Sequence, residues 1–232
     1  MTPDEWDHCD NWTRAIRAAN RSTITTSARV RRKFRLFAVY ALRHVASHAE
    51  DNRFSLALDV AERHFDERST LDELKAAIAT AQHGYEVHRS DLEEVPELLA
   101  QSLNHLLAGF PIEAATGAGG TAAAILYRLA RPHDRAVRQP VFESVASDFP
   151  HLIREMFGNP FRPVAFDPSW RTSAAVGVAR QMYDTRDFSG IPILADALQD
   201  AGCDSDDVLN HCRNAGIHVR GCWVVDLVLG KT

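Results

Sequence analysis

Through most of this 232-residue chain, apolar side chains return every third or fourth position, and Gly or Pro cuts the pattern into short lengths. That period is the mark of amphipathic α-helices, and it leaves little room for a sheet. Pro3–Asn20 sets Trp6, Cys9, Trp12, Ile16 and Ala19 on one stripe. Pro3 suits a first helical turn. Ser27 is placed to cap Ala28–Ala49, whose stripe is Val30, Phe34, Phe37, Ala38, Ala41 and Val45. Asn52–Asp66 follows, with Phe54, Leu58, Ala61 and Phe65 on one side. Ser69 or Thr70 ahead of Leu71-Asp72-Glu73 reads as a capping box opening a helix to Gln82 or beyond.

Asp91–Ala108 is the next expected helix, stopped by Gly109-Phe110-Pro111. Three glycines in Thr116–Gly120 predict a break, and residues 116–121 are taken as a hinge. The expected division is therefore an N-terminal helical region, residues 1–115, and a C-terminal helical module, residues 122–232. In that module helices are expected over Ala122–Ala130, Val141–Phe157 with a kink at Pro150, from Pro168, over Ile191–Ala201, and from Asp204 or Ser205 to Arg213. Gly158–Pro163 holds two prolines and a glycine and predicts a turn with extended chain. Val219–Leu229 is β-branched, but a lone strand would have nothing to pair with, so it reads as a buried helix. The fold class is all-α, a multi-helix array of about nine or ten helices in two packed subdomains.

The net charge of −5 argues against a strongly basic nucleic-acid binder. No apolar run approaches the roughly 18 residues of a membrane helix, so no membrane contact is expected. The start, Met1-Thr2-Pro3-Asp4-Glu5-Trp6, is acidic and polar where a secretory leader is basic, then apolar. A cytoplasmic protein is expected. The four cysteines contain no CxxC pair and read as buried free thiols of a reducing compartment.

Cys203, His211, Cys212, His218 and Cys222 form the densest reactive group. His218 and Cys222 at i, i+4 would share a helix face and could hold one metal, with His211 or Cys212 as a third ligand; zinc accepts such nitrogen and sulfur mixtures. A second reading pairs Cys222 or Cys212 with His218 as thiolate and imidazole, oriented by Asp226. The plainer reading makes the thiols core filling and the imidazoles ordinary hydrogen-bonding groups.

Charge is unevenly spread. Between Asn11 and Ala49 there is no Asp or Glu, while nine Arg and Lys occur. Arg29, Arg31, Arg32, Lys33, Arg35 and Arg43 lie off the apolar stripe, a face able to grip phosphates. Alternatively it is neutralised internally, by Asp91, Glu93, Glu94 and Glu97 or by Asp204, Asp206 and Asp207. Gly117–Thr121 lacks the lysine and preceding strand of a phosphate loop. Arg162 and Arg220 are stiffly placed and are expected to clamp carboxylates such as Asp196 or Asp226.

The words Phe157-Gly158-Asn159-Pro160-Phe161-Arg162-Pro163-Val164, Ile193–Leu198, Ala201-Gly202-Cys203, His211-Cys212-Arg213 and His218–Leu227 carry a resemblance. They resemble a family of bacterial proteins abundant in planctomycetes. A weaker likeness covers Arg32–Ala38 and Ala57–Phe65. Members often carry cysteines just after the Leu-Phe-Ala word, where this chain reads Val39, Tyr40, Ala41 and Leu42. The resemblance therefore implies no cysteine-rich site here, and it brings no activity. The leading expectation is a non-enzymatic helical interaction or scaffold protein, with another protein as partner and no cofactor. Beside it stand a metal-binding protein or small enzyme built on Cys203–Cys222, and a polyanion or nucleic-acid binder using Arg29, Arg32, Lys33, Arg35 and Arg43.

Overall fold

The structure, a computed structural model, describes residues 1–22, 28–46, 52–87, 94–107, 110–129 and 148–231. Among them the chain is all-α, with twelve α-helices and no strand. The first core is built by α1 (Pro3–Asp7), α2 (Trp12–Ser22), α3 (Ala28–Ala46), α4 (Asn52–Phe65), α5 (Leu71–Val87), α6 (Glu94–Ser102), α7 (Pro111–Leu129) and α8 (148–157). The second core is built by α9 (Ser173–Thr185), α10 (Ile191–Asp200), α11 (Asp206–Arg213) and α12 (Trp223–Leu229), with a short 3-10 turn at Pro168–Trp170. Ser27, Asp91–Glu93 and 141–147 lie outside the described residues.

Local chemistry sets several ends. Thr2 and Glu5 make a reciprocal capping box at α1, and Thr70 and Glu73 make the expected one at α5. The single helix expected over Pro3–Asn20 is two. Asn11 intervenes, because its side-chain oxygen accepts from the Arg14 N–H at 2.9 Å and starts a new helix. Gly202, at φ 85°, follows α10 in the left-handed conformation that a helix C-terminus favours. The last apolar segment is the buried helix α12.

The glycine hinge is corrected outright: residues 116–121 lie inside the continuous helix α7. Here glycine serves close packing. A Cβ on Gly119 would stand 2.9 Å from the Trp12 ring and 3.4 Å from Phe37, and one on Gly117 would stand 2.6 Å from the His105 ring. Gly120 faces open space. Gly120→Ala is therefore expected to stabilise by about 0.5–1 kcal/mol, the ordinary helix-propensity gain. Gly119→Val should destabilise by roughly 1–3 kcal/mol through overpacking. Thermal midpoints moving in opposite directions would establish the packing role; equal shifts would refute it.

The boundary between cores lies instead at 158–167. This link is irregular, as its prolines require, and it is pinned to the start of the chain. The Trp6 indole donates to the Gly158 carbonyl at 2.8 Å, and the Asn159 amide donates to the Pro3 carbonyl and to Asp7.

Charge joins the cores. Arg32 of α3 donates to Asp66 and to Asp226 of α12, both at 2.8 Å, and to the Tyr183 hydroxyl. The Tyr183 hydroxyl in turn donates to Asp66 at 2.6 Å. Asp66 and Asp226 side chains are fully buried. Arg220 reaches Glu62 at 3.3 Å and the backbone carbonyl of Tyr183 at 2.6 Å, and Arg43 and Arg186 share Asp59 and Glu62. Arg162 pairs with Asp207 at 3.0 Å. The two stiff arginines do clamp carboxylates, though neither takes Asp196 or Asp226.

Candidate metal centre

Four ligand-type side chains from three stretches of chain meet where the cores touch. Glu155 comes from α8, His211 from α11, His218 from the segment between α11 and α12, and Cys222 from the N-cap of α12. Their ligand atoms all lie within 4.8 Å of one another. Gly221 makes the approach possible. It sits at φ 96°, where a side chain is strained, and a Cβ there would stand 3.2 Å from Leu36.

The centre is enclosed. Cys222 is fully buried, and the side chains of Glu155 and His218 are 5% and 7% exposed. The His218 Nδ1 lies 3.1 Å from Glu155, and the His211 Nε2 lies 3.2 Å from Glu155 and 3.3 Å from the Cys222 sulfur. Ligand atoms around a tetrahedral zinc, with bonds of about 2.0–2.3 Å, stand about 3.3–3.6 Å apart. The three separations just given, 3.1–3.3 Å, are slightly shorter, and the four ligand atoms together span no more than 4.8 Å.

Each ring nitrogen has a defined partner. The Asn214 carbonyl accepts from His218 Nε2 at 3.3 Å, which leaves Nδ1 aimed into the cluster. A metal-binding imidazole is oriented in this way, by a carbonyl on its far nitrogen. His211 differs. The Trp223 indole, a donor only, gives its N–H to His211 Nδ1 at 3.0 Å, so the ring proton sits on Nε2. In this arrangement Nε2–H points to Glu155.

Electrostatics agree with a carboxylate at the centre. Burial alone would raise the Glu155 pKa, but hydrogen bonds and charge from both histidines hold it below the ordinary value. Burial opposes the His218 cation, yet Glu155 raises its pKa overall. Burial, then the Glu155 charge, push the Cys222 thiol well above its ordinary value. A buried, neutral thiol is the opposite of an activated nucleophile. Asp226 is taken by Arg32, so it does not orient a histidine. The expected orienting role of Asp226 is not found, and Cys212 stands outside the cluster.

Of the metal ligands expected from sequence, His211, His218 and Cys222 converge and Cys212 does not. His218 and Cys222 do not share a helix face; a turn at Gly221 brings them together. Cys212 follows His211 directly but belongs to the second core, with its pKa pushed up to about 12 by burial and then by the charge of Glu155. Glu155 was missed. It lies 56 residues before His211, in a helix whose sequence gives no metal-ligand spacing.

Part of the basic helix is engaged internally, while Arg31 is exposed. Lys33 is 2% exposed, lies 3.6 Å from Asp226 and donates to the Met156 carbonyl. Arg32 and Arg43 hold carboxylates, and Arg35 stacks on Phe65 with its centre 5.4 Å from the ring. Among the described residues the partners are Asp59, Glu62, Asp66 and Asp226; Asp91 and Glu93 lie outside those residues, and Asp204, Asp206 and Asp207 make no ion pair with this helix. Of the five, Arg29 and Lys33 line a cleft described below. Among the described residues no helix is long and apolar enough to cross a membrane. Comparisons with protein-family models, curated proteins and solved structures find no match.

Proposed function

We propose that this chain is a zinc-binding helical protein, with Glu155, His211, His218 and Cys222 as the ligands. The convergence of four ligand atoms within 4.8 Å, in a buried place, carries the reading. Two nitrogens, a thiolate and a carboxylate suit zinc better than calcium or magnesium, which take oxygen shells. Four protein ligands fill a tetrahedral shell and leave no open coordination position, so the ion acts structurally. It ties α8 of the first core to α11 and α12 of the second. This stays within the non-enzymatic expectation and replaces the expectation of no cofactor.

Coordination has one requirement. His211 can offer its Nε2 lone pair only with the proton moved to Nδ1, and Nδ1 now faces the Trp223 N–H. Two donors cannot face each other, so zinc uptake moves the indole away. Tryptophan fluorescence should change on zinc addition for that reason.

Elemental analysis of protein purified from zinc-supplemented cells tests the proposal. One equivalent is expected in the wild type and in Cys212→Ala, with loss in Cys222→Ser and Glu155→Gln. Less than about a tenth of an equivalent in the wild type would dispose of the reading.

A further inference from the structure

Beside the 158–163 link a cleft of about 740 Å³ opens between the two cores. Its walls include Trp6, Phe157, Trp223 and Leu227, and Arg29 and Lys33 of α3 reach its floor. These two lie one helical turn apart, so they stand on the same face. The volume falls in the range of small-molecule sites, roughly 300–1,000 Å³.

The floor is cationic, for Arg29 and Lys33 both line it while no carboxylate of α3 or α12 does. Behind it Arg32 and Lys33 share Asp226, and Arg32 and Lys231 share Asp66. In the network behind the floor Tyr183 stays a phenol: burial, outweighing the attraction of Arg32, raises its pKa, and its hydroxyl donates to Asp66. Arg32 and Lys33 are held by Asp226, and Lys231 lies 3.5 Å from Asp66. Arg29 makes no hydrogen bond or ion pair among the described residues, and it lines the cleft. At the rim, Asp7 and Asp207 both pair with Arg162, and Arg154, which donates to the Cys9 carbonyl, also lines the cleft. Arg29 is thus the floor cation without a close carboxylate, attracted only at longer range by Asp226. Partly buried charge without a counter-ion is costly, and a dianion entering the cleft would supply one.

We infer that the cleft binds a phosphomonoester carried on an apolar or aromatic body. A phosphomonoester has a charge of about −1.5 to −2 at pH 7 and several acceptor oxygens, which match two cations better than a carboxylate does. The body lies along the tryptophan and phenylalanine walls. Arg29 is the anchor, and Lys33 and Arg162 contribute field from the floor and the rim.

Phenyl phosphate is the probe, titrated into full-length protein with chelator present throughout and followed by calorimetry and tryptophan fluorescence. Saturable one-to-one binding is expected. Phenyl sulfate, nearly the same shape with one charge, should bind at least about tenfold more weakly, as should inorganic phosphate, which lacks the body. Arg29→Gln should weaken phenyl phosphate at least about tenfold, and Arg29→Lys should restore part of the loss. Any of three results overturns the inference: no binding at about 10 mM, equal binding of phenyl sulfate, or unchanged binding by Arg29→Gln. The chelator keeps the site free of zinc, so these outcomes bear on the cleft alone.

Discussion

Asp226→Ala should lower the unfolding free energy by roughly 3–5 kcal/mol, which is the usual cost of leaving a buried charge without its partner. The side chain is fully buried, and Arg32 and Lys33 both rely on it. Arg32 is 14% exposed and Lys33 2%, so neither can turn to water for compensation. Burial already pushes the Lys33 pKa down to about 8, against the pull of Asp226. Removing the carboxylate strips away that pull. Out of a typical total of about 5–15 kcal/mol, such a loss brings the chain close to unfolding at ambient temperature. Urea unfolding followed by circular dichroism reads the effect, and a change below about 1 kcal/mol would show that water or another group takes over. Asp226→Asn separates charge from shape. It should keep the packing yet recover little stability, because an amide offers one acceptor oxygen where Arg32 and Lys33 use a carboxylate.

The same network shows what the sequence could and could not disclose. The helix period at Val30, Phe34, Phe37 and Ala41 was readable because burial is written locally, in which side chains are apolar. So were the capping box at Thr70 and the turn through Pro160 and Pro163. The clustering of cations on α3 was also visible, but not where it pointed. Asp66 lies 34 residues away from Arg32 and Asp226 lies 194 residues away, and no local pattern specifies such pairs. Glycine misled for a related reason. At Gly119 the determining fact is the Trp12 ring, more than a hundred residues away along the chain, so a packing glycine looked like a hinge. The candidate metal centre lies between these cases. Its three C-terminal members were found by nearness along the chain. Glu155 became visible only after α8 and α11 had been set side by side.

Zinc should raise the midpoint of thermal unfolding, and the size of the effect should grow with pH. At free zinc a thousand times the dissociation constant, linkage gives about 4 kcal/mol of added stability, provided the unfolded chain binds weakly. Coordination needs the Cys222 thiolate, and that thiol is held protonated by burial and by Glu155. Binding therefore releases at least one proton, and affinity should fall about tenfold for each unit the pH is lowered. The zinc-free protein should respond in the opposite sense at this site. The His218 pKa is raised in the fold, chiefly by Glu155 against the opposing effect of burial. Its contribution is complete below the unfolded value of about 6.5 and is lost as pH rises through the folded value. Melting curves with zinc and with chelator, taken from pH 6 to pH 8, thus distinguish a centre built for an ion from a self-sufficient Glu–His network. A gap between the curves that widens with pH, and closes in Cys222→Ser, is the expected result. Coincident curves across the whole range would mean that Glu155, His211, His218 and Cys222 satisfy one another without a metal.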